Sequence, residues 1–242
     1  MLAAVAPADI GLLRPYATLV ELVQGEVLFE PEEDVLYAHF PLVGTLAALV
    51  VLLEDGRTAE AVTMGCEGAI GGIISAGHKP AFARAVVEIG GPALRIETAR
   101  IEHAKEQSPT VRELFSRYAD VLLAQLLQSV TCNALHSLPQ RFARCLLMTQ
   151  DRMMCTDLPL TQEAIGEMLG AHRATVIRVA KAFQEQGLIA YGRGRVRITD
   201  RPGLEATSCE CYGVVRKQFA KLLPQVAGRR SGKRGTSSKG AD

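Results

Sequence analysis

Nothing in the 242 residues approaches the length of a membrane-spanning helix, because the longest uninterrupted apolar run, Leu46 to Leu53, is only strand-sized. The first residues, MLAAVAPADIGLLRP, lack the basic start and long apolar core of a secretory leader, so a cytoplasmic chain with no membrane partner is expected. An excess of one charge is also missing. Lys+Arg number 27 and Asp+Glu 26, a net of +1, so any electrostatic partner must be met by local clusters of charge. Six cysteines are present without a single C-x-x-C pair, which points to reduced thiols. Cys209 and Cys211, one residue apart, could in principle ligate a metal or switch redox state, but packed or surface thiols are expected, because structural zinc sites favour wider spacing and four ligands.

Enzyme signatures are equally scarce. There is no G-x-S-x-G and no H-E-x-x-H. The stretch GIISAGHK from Gly72 to Lys79 puts a histidine between the glycine and lysine of a would-be P-loop, which misplaces the lysine for phosphate. His39, His78, His103, His136 and His172 are scattered along the chain. The expectation is a protein with no catalytic residues, no metal and no cofactor.

What is present falls into three parts. From about Val20 to Ile101, short apolar runs alternate with Gly, Pro and acidic turns. Val27 to Phe29, Val35 to Phe40, Thr45 to Leu53, Ala59 to Met64, Ala85 to Ile89 and Ala93 to Ile96 read as strands of an antiparallel sandwich or jelly roll, with Glu54-Asp55-Gly56-Arg57 as a hairpin turn. Near residue 98 the period changes from two to about 3.6. Ser108-Pro109 then reads as a capped helix start, and apolar residues recur to about His136. That helix is apolar on more than one face, with Val121, Leu123, Ala124 and Leu127 beside the main stripe. A parallel homodimer along Leu114, Tyr118, Leu122 and Leu126 is the expected way of covering it, the alternative being a helix packed only on its own sandwich.

After Leu138-Pro139 a second helix spans Arg141 to Arg152, with a break at Asp157-Leu158-Pro159. Thr161 can cap the next helix, whose apolar face is Ala164, Ile165, Met168 and Leu169, and Gly170 ends it. The helix that follows turns Val176, Val179, Ala180 and Phe183 inward and Arg173, Ala174, Ile177, Arg178 and Lys181 outward. Ala190 to Ile198 reads as a hairpin, with Arg195 and Arg197 on one face and Val196 and Ile198 on the other. Two short helices joined by a glycine turn, a basic outer face and a basic hairpin together predict a winged helix-turn-helix that binds double-stranded DNA. Residues 227–242, rich in Gly, Ser, Lys and Arg, are expected to form a disordered basic tail.

The segment TQEAIGEMLGAHRATVIRVAKAFQEQGLIAYGRGRVRI resembles the winged helix of the Crp/Fnr family of bacterial transcription regulators, and the order of parts along the chain is similar to that family's. The resemblance implies an α+β chain: a cyclic-nucleotide-binding-like sensor at 1–105, a dimerisation helix at 106–138, and a winged helix-turn-helix with a C-terminal helix at 139–226. The family's S-R-x-T-V-x-R stands here as His172-Arg173-Ala174-Thr175-Val176-Ile177-Arg178. That match implies Arg173, Ala174 and Arg178 at base edges, and Gln162, Thr175 and Lys181 near phosphates alongside the wing's Arg193, Arg195 and Arg197. Ala174 replaces a frequent glutamate, and His172 replaces the usual capping serine.

In the sensor, Gly71, Gly72 and Arg84 stand where the resemblance implies an effector pocket. Gly72 in place of glutamate and Ala85 in place of a hydroxyl residue point away from a cyclic nucleotide, leaving Arg84 either as a plain surface or hairpin residue or as the holder of some other small anion. No N-terminal cysteine cluster precedes Cys66, which argues against an iron–sulfur sensor, and haem would need an axial ligand such as His78 or Cys66. Expected partners are DNA, a second copy of the chain, RNA polymerase and an unidentified anionic effector. The alternative is a ligand-sensing adaptor acting through a protein partner, which would not need Arg173 and Arg178 on an outer helix face.

Overall fold

The computed structural model describes residues 1–54, 58–73 and 80–223. The expected hairpin tip at 55–57, His78 and the expected basic tail at 227–242 lie outside these residues.

Two antiparallel sheets form the N-terminal sandwich. One orders β1 (Thr18–Leu22), β7 (Gly91–Glu97) and β3 (Tyr37–Pro41) as β1-β7-β3. The other runs β2-β6-β4-β5, from β2 (Val27–Phe29), β4 (Leu46–Leu52), β5 (Thr58–Met64) and β6 (Arg84–Ile89). The six expected strands are present, with β4 and β5 paired from Ala47↔Met64 to Leu52↔Thr58. Along β6, Ala85, Val87 and Ile89 are buried between half-buried neighbours, the period-two signature of a strand with one face on the core. β1 escapes sequence reading because it is an edge strand that leaves Leu19 66% exposed.

Helix α1 (Thr98–Gln107) follows β7, anchored where the Thr98 hydroxyl donates to the Val35 carbonyl at 2.8 Å. The chain turns at Ser108, whose side chain accepts from the Val111 amide as the expected cap, and enters α2 (Pro109–Leu135). A capping box between Ser137 and Gln140, with Pro139 in the first turn, starts α3 (Leu138–Met153). The C-terminal unit adds β8 (Asp157–Leu158), α4 (Gln162–Leu169), α5 (Arg173–Glu185), β9 (Ile189–Gly192), β10 (Arg195–Ile198), α6 (Arg201–Thr207) and α7 (Cys211–Leu222). The expected break at Asp157-Leu158 is thus a short strand paired with β10.

One core joins the sandwich to α1, α2 and the end of α7, where Phe219 and Leu223 are buried. A second core lies between α3, α4, α5 and the small sheet. The residues expected at the dimer seam belong to the first. Leu114, Tyr118 and Leu122 are buried in their own chain and Leu126 packs against the same core, so this stripe of α2 faces the sandwich. An α-helix that is apolar most of the way round carries no signal for which stripe its own sheet takes, and the nearer partner takes the wider one.

Arg152 of α3 links all three parts. Its guanidinium pairs with Glu67 at 2.8 Å and donates to Gln125 Oε1 of α2 at 2.8 Å, with the Arg152 and Glu67 side chains 7% and 4% exposed. Beside it Glu60, Thr63, Gln125, Arg144 and Met168 line a small cavity between sandwich, α2, α3 and α4.

Candidate nucleic-acid interface

The helix-turn-helix forms as its local chemistry dictates. Thr161 Oγ1 accepts from the Ala164 amide at 3.1 Å, and α4 ends at Gly170, whose φ of 58° is the left-handed conformation glycine adopts freely. The two helices can close on each other because residue 166 is glycine: a Cβ there would stand 3.0 Å from the Ala171 carbonyl oxygen. Val176, Val179, Ala180 and Phe183 are buried as expected, and the Phe183 ring meets Phe142 of α3 edge-on at 5.2 Å. This packing fixes the rotation of α5, and Arg173, Ala174, Ile177, Arg178 and Lys181 are left exposed. His172 occupies the cap of α5 without a side-chain bond, in keeping with its replacing serine.

The wing is the hairpin β9–β10, turned through Arg193 (φ 52°) and Gly194 (φ 72°), two consecutive left-handed residues of the kind a tight hairpin needs. Gly194 sits beside Thr161, its would-be Cβ 3.7 Å from that methyl. The Tyr191 hydroxyl donates to the Leu160 carbonyl at 3.1 Å. The start of α4 and the wing therefore meet, with exposed Arg193 and Arg195 on the hairpin and Arg173 close enough to act on the Tyr191 phenol. Within α5, Arg178 Nη2 donates to Thr175 Oγ1 at 3.4 Å, and Lys181 stands 3.8 Å from Glu185 one turn on. Gln162 and Thr175 are half-buried at the starts of α4 and α5.

Arg197 departs from expectation. Its guanidinium makes a two-pronged pair with Asp157 of β8, Nε to Oδ1 at 2.6 Å and Nη2 to Oδ2 at 3.1 Å, and it holds the Asp157 carboxyl below the usual carboxylate range. Arg197 thus fastens β10 to β8, with two of its donors held by Asp157 while the side chain stays exposed. Sequence reading missed the two residues that tie the wing down, Tyr191 and Asp157, because each acts on a partner more than thirty positions away.

Among the described residues, the expected effector residues are closely packed or already paired. Gly71 is packed so closely that a Cβ would lie 2.8 Å from Val35 Cγ1, and one on Gly72 would lie 2.8 Å from Ala69 Cβ. Arg84 Nε bonds Glu30 Oε2 at 2.8 Å, so the cation expected to meet an anion already holds a carboxylate. Cys66, the other haem ligand considered, donates its thiol to the Arg152 carbonyl at 3.0 Å. Among the described residues no helix is long and apolar enough to cross a membrane.

Residues 140–207 match the Crp-like helix-turn-helix domain. FixK2 from Bradyrhizobium japonicum superposes with a TM-score of 0.70 at 19% identity, covering 80% of this chain and 98% of that one. A transcriptional regulator of the Crp family from Thermus thermophilus gives 0.63 at 20% identity, covering 78% and 96%. CLP of Xanthomonas campestris, described as a c-di-GMP responsive global regulator, gives 0.63 at 13% identity, covering 81% and 100%. No curated protein matches the chain by sequence. At these identities the structural likeness establishes the fold, which is that of the Crp/Fnr regulators.

Proposed function

We infer that this Crp/Fnr-type transcription regulator, whose helix-turn-helix is its DNA-binding domain, binds a two-fold-symmetric operator as a homodimer and reads it with the exposed face of α5. The observation that carries this is the rotation of α5: with Val176, Val179, Ala180 and Phe183 buried, Arg173, Ala174 and Arg178 project together from its first two turns. An arginine fork matches guanine O6 and N7, and a helix of this size fits the major groove. Gln162, Thr175, Lys181, Arg193 and Arg195 flank that face and take the phosphates, fixing register without reading sequence.

The dimer uses the stripe of α2 that its own sandwich leaves uncovered. Leu123, Leu127 and Val130 are 56%, 62% and 69% exposed and follow each other at steps of four and three, with exposed Ala134 four further on. That spacing is the seam of a two-stranded coiled coil. Two copies joined there present two α5 helices to successive major-groove faces. RNA polymerase is a further partner on this reading.

The signal entering the sensor is something other than a cyclic nucleotide. Support comes from the closeness of Gly72 to Ala69 and from the Glu30 carboxylate already on Arg84. Selection of duplexes from a random pool by the full chain tests the function: recovery of an inverted repeat with half-sites about one helical turn apart supports it, and a pool without consensus refutes it.

A further inference from the structure

Four residues far apart in sequence meet where α2 ends and α6 passes into α7. Cys132 and His136 lie one turn apart on α2, while Cys209 and Cys211 flank the start of α7. Their ligand atoms all lie within 4.8 Å of one another. Cys132 Sγ stands 3.5 Å from Cys209 Sγ, and Cys211 Sγ stands 3.5 Å from His136 Nδ1. The three cysteines are buried and form a cluster of their own, apart from both large cores.

The surroundings are those of a metal site. His136 Nε2 lies 3.1 Å from Glu210 Oε2, and the tautomer that donates there turns the Nδ1 lone pair toward the sulfurs. A carboxylate behind a histidine ligand is the usual outer partner that fixes its tautomer. Gln128 Nε2 donates to Cys211 Sγ at 2.9 Å, a contact that suits sulfur carrying negative charge.

We propose that Cys132, His136, Cys209 and Cys211 bind one tetrahedral zinc ion. Zinc–sulfur bonds of about 2.3 Å and zinc–nitrogen bonds of about 2.0 Å place tetrahedral ligands about 3.8 Å apart for two sulfurs and about 3.5 Å for sulfur and nitrogen. The Cys132–Cys209 and Cys211–His136 separations, 3.5 Å each, lie near those edges, and the remaining pairs lie within 4.8 Å. An iron–sulfur cluster, with several bonded atoms between its ligands, needs a wider cage than 4.8 Å allows. Loading releases the thiol protons to solvent and needs no oxidant. With four protein ligands and no open position, the ion is a clamp. It ties the end of α2 to the C-terminal helices just before α3 begins, at the joint between the dimer helix and the DNA-reading unit.

The site is tested without DNA, so its failure leaves the operator reading standing. The full chain, purified under reducing conditions, is expected to carry about one zinc per chain by elemental analysis. Cys209→Ser, Cys211→Ser and His136→Gln should lower that to background, while Cys155→Ser keeps it. Should the cysteine variants fail to fold, cobalt(II) added to the zinc-stripped wild-type chain should give thiolate charge-transfer absorption that saturates at one equivalent and vanishes when zinc is added. The proposal is overturned by a wild-type chain that takes up neither metal, by stoichiometric iron and sulfide, or by zinc retained in Cys209→Ser.

Discussion

The hydroxyl of Tyr118 accepts from the Ala69 amide at 2.9 Å and donates to the Ala69 carbonyl at 3.1 Å, which bolts α2 to the loop after β5. The approach is possible because residue 68 is glycine: a Cβ there would stand 2.3 Å from the Tyr118 oxygen. Burial pushes the phenol well above its ordinary value, so it stays protonated and keeps its donor. Tyr118→Phe leaves two buried backbone groups without that partner and should cost about 1–3 kcal/mol in urea denaturation, with the dimer unaffected.

The two apolar stripes of α2 should separate by mutation. Leu127→Glu places a charge on the uncovered face and should give folded monomers by sedimentation velocity, with operator affinity greatly reduced. Leu122→Glu buries a charge in the sandwich core and should lose the cooperative unfolding transition instead. Dimers of unchanged strength in Leu127→Glu would place the interface elsewhere.

Stability should depend on pH through Glu60. One oxygen of this half-buried carboxyl is shut away from water and lacks a hydrogen-bond partner. Burial, then the charge of Glu88, pushes its pKa up from 4.5 to about 8. The folded chain therefore keeps a proton that the unfolded chain releases above pH 4.5. This destabilisation is absent below that value, grows as pH rises, and levels off above about pH 8. Glu60→Gln removes it, so the variant should gain on the wild type in urea midpoint between pH 5 and 8, roughly the span of the shift, and hold a constant margin above. Parallel pH profiles would show that Glu60 is solvated.

The C-terminal unit was legible because its determinants are local. Thr161 caps three residues ahead, Gly170 turns where it stands, and the inward face of α5 repeats within thirteen residues. Contacts that cross the chain left no such mark. Arg197 reads as a free wing cation until Asp157, forty residues earlier, is brought beside it. The α2 stripe was misread because only the folded sandwich decides which side it covers. Cys132 and His136 share one helical turn, but Cys132 and Cys209 stand 77 positions apart, and no spacing rule brings the two pairs together. The sensor kept its strand pattern while its expected anion ligand, Arg84, found Glu30 instead.

The central claim is that α5 reads base sequence through Arg173 and Arg178, and parallel selections with the wild type and Arg173→Ala test it most directly. The wild type should recover an inverted repeat. Arg173→Ala should bind it about 1–3 kcal/mol more weakly and lose discrimination at one position of each half-site, with the rest of the consensus kept. An identical consensus at undiminished affinity would contradict the assignment.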